Sequence, residues 1–304
     1  MTAWLVTRVD KTSISKLMRI AWRTVGRICE RVVAEALQTT SKLNGLRSIG
    51  IDEVSYKRRH KYLTVVINHE TGELVWAARG KDVATVRQFF DQLGEERAAR
   101  IELVSSDAAH SVVNEVARRC PNATLCLDPF HIIAWASRAL DTVRKQLWRE
   151  MRRTGNKAQS LALQRSRFAL WSSPENLTDR QQLKLTELER VNKPIYRAYL
   201  LKEQLREVFR LKGRRGTRLL DRWLKWASRS RLEPFVELGR RIRHYRDGID
   251  ATLEHGLSNA RVEAANTSIR LLTRLAFGFH SAESLIAIAM LRLGGLCPKL
   301  PAPT

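Results

Sequence analysis

Between Arg47 and Leu127 the hydrophobic residues switch repeatedly between strand and helix spacing, and that alternation limits the folds open to the chain. Arg47 to Glu53, Lys61 to Ile67 and Glu73 to Ala78 have strand length and composition, and a turn-rich Asn68-His69-Glu70-Thr71-Gly72-Glu73 joins the last two. Asp82 then stands where a helix N-cap belongs, before a helical stretch to about Glu96. A strand from Ile101 to Ser106 ends at Asp107, and a helix covers Ala109 to Arg119. Pro121 and Asn122 break it, and a strand from Ala123 to Leu127 runs into Asp128-Pro129-Phe130-His131. Ile49 and Ile51 alternate as in a half-buried strand, so Asp52 falls at its end on the opposite face, able to stay solvated or to meet a metal ion. An aspartate closing a strand is ordinarily a turn or cap residue, so a chemical role for Asp52 needs partner carboxylates elsewhere.

The order β-β-β-α-β-α-β, a meander followed by α/β units, is that of a ribonuclease-H-like fold, whose active site lies where the first and fourth strands adjoin. The expected architecture is α/β: a ribonuclease-H-like mixed sheet, a large all-helical insertion and an N-terminal helix-turn-helix. Four segments result: a helix-turn-helix over 1–45, the first part of the core over 46–140, a basic helical insertion over 141–250, and C-terminal core helices over 251–304.

Charge follows these segments. The net charge is +23, yet residues 46–140 carry 13 basic and 12 acidic residues, while 141–250 carry 28 and 13. So large a surplus calls for a polyanionic partner, and nucleic acid leads. No apolar run is long enough to span a bilayer and the N-terminus lacks a signal-peptide core, so a soluble, cytoplasmic (nucleoid-associated) protein is expected. Cys29, Cys120, Cys126 and Cys297 form no C-x-x-C pair and read as reduced structural thiols.

Residues 12–37 carry two short helical patterns, Thr12 to Met18 and Trp22 to Leu37, joined by Arg19-Ile20-Ala21 at helix-turn-helix spacing. Val25, Ile28, Val32 and Leu37 are assigned to the core. Arg23, Thr24, Arg27 and Arg31 are left for a DNA groove or its phosphates, an amphipathic hairpin with a solvated basic face being the rival reading. In the insertion, Pro174, Pro194, Pro234 and Lys212-Gly213-Arg214-Arg215-Gly216-Thr217 separate helices, and Lys212, Arg214 and Arg215 are candidate phosphate contacts. Trp148, Trp171, Trp223 and Trp226 recur among basic residues; helix packing is their commoner role and base stacking the alternative. Further on, Ser258 is the expected N-cap of a helix on which Glu263, Asn266 and Arg270 share one face and Val262, Ile269 and Leu272 the other. Gly278 closes that helix, and Ser281 to Leu293 forms another, packed on the sheet.

Three carboxylates therefore stand out: Asp52, Asp107 and Glu263. Phosphoryl transfer on DNA calls for two hard divalent ions, Mg²⁺ or Mn²⁺, held by carboxylate oxygens, and three acids suffice because water and phosphate supply the remaining ligands. Three clustered anions also repel one another without metal. Asp128 and His131 are accessory candidates: Asp128 as an outer-shell or DNA-contacting acid or a competitor for the second catalytic position, His131 as a helix cap rather than a metal ligand.

Ile49-Gly50-Ile51-Asp52-Glu53, Val104-Ser105-Ser106-Asp107, Leu127-Asp128-Pro129-Phe130-His131 and Ser258-Asn259-Ala260-Arg261-Val262-Glu263-Ala264-Ala265-Asn266, with Gly278-Phe279, resemble the motifs of the ISL-three family of bacterial insertion-sequence transposases. The resemblance runs from about residue 12 to 295, and the helical motif around Glu263 is its most specific part. It implies a DDE transposase that cuts and joins DNA at transposon ends with two Mg²⁺ (or Mn²⁺), Asp52, Asp107 and Glu263 being both catalytic triad and metal ligands. The implied partners are double-stranded DNA with terminal inverted repeats, target DNA, and a second or further copies of the chain on that DNA. The chain departs from the family at Ala108, where glycine is common, and at Ala260 and Ala264; it also starts almost at the helix-turn-helix, without the usual cysteine-bearing zinc module, which reads as a truncated copy. A catalytically silent DNA-binding competitor or repressor is the alternative function, and a junction-resolving nuclease of the same fold a third.

Overall fold

The structure is a computed structural model describing residues 1–57, 61–276 and 278–300. The chain divides into two compact units, one made of residues 1–126 with 258–304 and the other of residues 127–257. In the first unit, α1 (Thr2–Leu5), α2 (Lys11–Met18) and α3 (Trp22–Thr39) precede a meander of β1 (Ser48–Lys57), β2 (Lys61–Asn68) and β3 (Leu74–Arg79). There follow α4 (Val83–Leu93), α5 (Glu95–Ala98), β4 (Leu103–Ser106), α6 (His110–Arg119) and β5 (Thr124–Leu127). The five strands form one mixed sheet in the order β3-β2-β1-β4-β5, with β1 antiparallel to β2 and parallel to β4. The Asp82 side chain caps α4 by accepting from Thr85 N, as its position before the helix predicts.

The second unit is helical: α7 (Pro129–Arg153), α8 (Lys157–Arg165), α9 (Arg167–Trp171), a short turn of 3₁₀ helix at Pro174–Asn176, α10 (Asp179–Val191), α11 (Lys193–Leu211), α12 (Gly213–Ser228), α13 (Glu233–His244) and α14 (Arg246–His255). Pro194 and Pro234 fall in the first turns of α11 and α13, where a missing N–H costs nothing. Of Trp148, Trp171, Trp223 and Trp226, Trp223 is fully buried and donates its indole N–H to Leu201 O at 2.8 Å. Trp148 and Trp226 are half-buried, and Trp171 lies 41% exposed.

The chain then re-enters the first unit with α15 (Ala260–Leu275) and α16 (Ala282–Leu293), the latter capped by Ser281. The sheet buries a core on each face. Ile49 and Ile51 of β1 join Phe89 and Phe90 of α4 and Val112 and Val116 of α6 on one side. Val54 and Tyr56 join Val25, Cys29 and Val33 of α3, Val262 and Ile269 of α15 and Leu285 and Ile288 of α16 on the other. The period-two side-chain alternation of a strand produces this division.

Several expectations are corrected. Strand β1 continues four residues beyond Glu53, to Lys57, so Asp52 lies within the strand; what ends there is the pairing with β4. On α3 the buried row is Val25, Cys29 and Val33, and Leu37 is 41% exposed, because the helix passes the end of its packing surface before its last turn. The N-cap of α15 is Asn259 rather than Ser258. Among the described residues no helix is long and apolar enough to cross a membrane.

Candidate active site on the sheet

The site is built from the parallel pairing of β1 and β4. Ser48 to Ile51 lie opposite Leu103 to Ser106 residue for residue, and the next residue on each strand is an aspartate, Asp52 and Asp107. Neighbouring strands run about 4.8 Å apart, so the register sets the two acids side by side. Both are half-buried. Asp107 Oδ1 accepts from Ala109 N at 3.1 Å, which fixes the turn into α6.

Asp52 is held at both oxygens. Oδ1 accepts from Glu53 N at 2.7 Å, and Oδ2 accepts from Asn266 Nδ2 on α15, also at 2.7 Å. Asn266 is 2% exposed, so this bond to a charged group is shielded from water and is of the stronger kind. The close seating of α15 on β1 makes it possible: a Cβ at Gly50 would meet Val262 Cγ2 at 2.3 Å and His69 Nε2 at 2.8 Å, so glycine lets helix and strand touch there.

The start of α15 is tied down as well. His69, 8% exposed, lies 2.6 Å through Nε2 from Ser105 Oγ, and Ser105 donates to Asn259 Oδ1. Asn259 thus bonds β4 instead of capping its own helix. Burial, and secondarily the nearby Arg261 guanidinium, hold the His69 pKa down at about 4, so the ring is neutral at physiological pH. Arg261 donates to His69 O and to Glu70 O, fastening the β2–β3 turn to the helix.

Glu53 belongs to this neighbourhood and was missed in the sequence, where it reads as one more strand-end acid. Its pKa is raised to about 7, first by burial, then by Asp107 and Asp52, with Lys81 opposing. The Asp-Glu pair within an apolar strand was the available signal. A carboxyl whose pKa rises on folding above its ordinary 4.5 stabilises the fold below that pH and loses its contribution as pH climbs through about 7. Glu53→Gln should therefore melt higher than the parent at pH 8 in chelator, with the gain vanishing near pH 4. Melting curves across that range check it, and a pH-independent difference would contradict the assignment.

Of the sequence candidates, Asp52 and Asn266 are hydrogen-bonded to each other, and Asp107 follows the residue of β4 that pairs with Ile51. Glu263 lies one turn before Asn266 on α15, exposed, and among the described residues no group of three or more His, Cys, Asp or Glu side chains is arranged to hold a metal ion. Asp128 and His131 lie in the helical unit. Asp128, not His131, caps α7, accepting from Phe130 N at 3.2 Å, and its Oδ2 lies 3.0 Å from His131 Nδ1. Arg23, Thr24, Arg27 and Arg31 are exposed on α3, Arg31 facing Glu35 at 3.6 Å; Lys212, Arg214, Arg215 and Arg270 are exposed too.

The donor chemistry fits a hard divalent cation. Asp52 and Asp107 are carboxylate oxygen donors on neighbouring strands, the ligand type that Mg²⁺ and Mn²⁺ take, and Asp107 adds to burial in raising the Glu53 pKa.

A family model described as transposase, for the ISL-three type, matches residues 49–289, a span that opens on β1 and closes on α16. The chain belongs to the ISL-three family of transposases. Among relatives of this family, the transposase for insertion sequence element IS1557 of Mycobacterium tuberculosis is 50% identical over 318 residues, covering 98% of this chain and 72% of the relative. The transposase for IS1001 of Bordetella parapertussis is 25% identical over 273 residues, 89% of this chain and 66% of the relative. Asp52, Asp107, Glu263 and Asn266 all fall within the matched span.

Proposed function

We propose that the chain is a DDE-type DNA transposase working on a ribonuclease-H-like core, cleaving DNA at the ends of its insertion sequence and joining those ends to target DNA. The observation that carries this reading is the β1–β4 register, which sets Asp52 beside Asp107 where the pairing of those strands stops. Asp52, Asp107 and Glu263 are the residues that would hold two Mg²⁺ or Mn²⁺ ions. Bound there, the ions would supply Lewis acidity for in-line displacement at phosphorus.

The chain's own part is orientation. Asn266 Nδ2 and Glu53 N each donate to one oxygen of the Asp52 carboxylate and so fix its orientation. The His69–Ser105–Asn259 chain fixes the start of α15, and with it the rise on which Glu263 and Asn266 stand. Helices α2 and α3 act as a helix-turn-helix in this reading, with Arg23, Thr24, Arg27 and Arg31 on groove edges and phosphates, while Lys212, Arg214, Arg215 and Arg270 follow the backbone. The working form is a dimer or larger assembly on DNA.

Purified protein should nick duplexes ending in the inverted repeats that flank its gene, in Mg²⁺ or Mn²⁺ and not in chelator. Glu263 is exposed on α15 and belongs to no three-ligand group among the described residues, which favours a second reading, a DNA-binding protein without catalysis. That reading predicts binding that falls steeply with salt and no cut strand under either metal, and such a result would replace the first.

A further inference from the structure

The helical unit carries an open cavity of about 700 Å³ whose lining includes Phe130, Ile133, Arg138, Lys145, Trp171 and Arg206. Its aromatics are unusually wet: Phe130 is 63% exposed and Trp171 41%. Two exposed aromatic side chains at one pocket leave ring surface on which a ligand can stack.

Trp171 is nevertheless held in place. The ammonium of Lys202, itself 2% exposed, donates to Leu170 O at 2.8 Å and to Ser172 O at 3.1 Å, tying α11 to the backbone on both sides of the tryptophan. The Arg167 guanidinium carbon lies 4.1 Å from the ring centroid, and Phe168, 67% exposed, meets the ring edge-on at 6.5 Å. The ring is thus positioned by its backbone and a cation, without being buried.

The charge around it is positive. Asp141, the acid in the wall, already pairs with Arg144 at 2.7 Å and Lys145 at 2.8 Å. Arg206 pairs with Glu175 and Glu203, whereas Arg138 is exposed and makes no ion pair among the described residues. The unit as a whole holds 29 basic and 15 acidic residues. Ordered aromatic faces beside cations, in a cavity within the roughly 300–1,000 Å³ range of ligand sites, match a nucleobase with its phosphate. A base inside a duplex keeps its neighbours on both faces and has no free face to offer, so the base must be unpaired.

We infer that this cavity is a stacking site for an unpaired nucleobase of bound DNA, with Trp171 and Phe130 as its aromatic faces and Arg138 as a phosphate contact. The inference rests on the DNA-acting function proposed above, and metal-free binding tests it without requiring cleavage.

Two probes of equal phosphate number serve: a blunt duplex, and a duplex with a short 3′ overhang carrying 2-aminopurine. The parent should bind the overhang probe more tightly, by about 5- to 150-fold, the worth of one stacked base, and quench its fluorescence. In Trp171→Ala that ratio should fall towards one and the quench disappear, while Trp171→Phe keeps most of both. The side chain is partly exposed, so melting curves matching the parent's show that the variant folds. A parent ratio of one, as a cavity built for a protein segment would give, overturns the inference, and so does an undiminished ratio in Trp171→Ala. Binding to neither probe overturns it together with the DNA reading. A parent that shows the ratio but never cuts DNA upholds the stacking site and removes the catalytic reading alone.

Discussion

Asp52→Asn should lower strand cleavage by about three orders of magnitude or more, the scale on which losing an essential group lowers turnover. The substitution is nearly isosteric. The amide keeps an oxygen to accept from Asn266 Nδ2, so α15 should stay seated, while the charge a metal ion needs is gone. The neutral amide weakens the bond from Asn266 while removing one anion beside Glu53, so without metal the two effects oppose and the variant should melt close to the parent at pH 8. A gel assay on inverted-repeat duplex in Mn²⁺ measures the first effect and calorimetry the second. Cleavage within tenfold of the parent would remove Asp52 from the reaction.

Gly50→Ala is expected to destabilise by about 1–3 kcal/mol, the usual cost of forcing a group into a filled core. Its Cβ would sit 2.3 Å from Val262 Cγ2 and 2.8 Å from His69 Nε2. Neither neighbour has room: Val262 is fully buried, and His69 is fixed by Ser105 and by its own N–H to Ser48 O. The strain is relieved by lifting α15, which pulls Asn266 from Asp52 and should cost cleavage as well as stability. In a unit of this size each kcal/mol lowers the melting temperature by roughly 2–4 °C. Pairing the change with Val262→Ala separates packing from chemistry, because the double variant should be more stable than the two single losses summed. Additive losses would mean that strand and helix do not meet at Gly50.

The elements were legible where local rules act alone. Asp82 and Ser281 sit where they cap, prolines open helices, and the hydrophobic segments of the meander have lengths close to those of the strands seen. The pairing of β1 with β4 followed from element order, since a meander followed by α/β units leaves that edge of β1 for the fourth strand. What escaped depends on contacts distant in sequence. Asn259 was hidden because its partner, Ser105, lies on β4, and a local cap at Ser258 was the simpler choice. Glu53 acquires its raised pKa from burial first and from Asp107 second, and both exist only in the folded sheet. The tryptophans shared one pattern and met different fates, Trp223 at the centre of its helices and Trp171 on a rim, because helical spacing tells which residues share a face and not what covers it.

The core between the sheet and helices α3, α15 and α16 draws its residues from both ends of the chain. A ribosome must therefore make residues 127–257 before the covering helices exist, on the order of ten seconds at ordinary elongation rates. During that interval Leu63, Val65 and Ile67 of β2 and Val54 of β1 lack half of their cover. A message cut anywhere inside the helical stretch would yield a chain with a bare, sticky sheet and without Asn266. Such a chain would leave Asp52 without the side chain that holds its Oδ2.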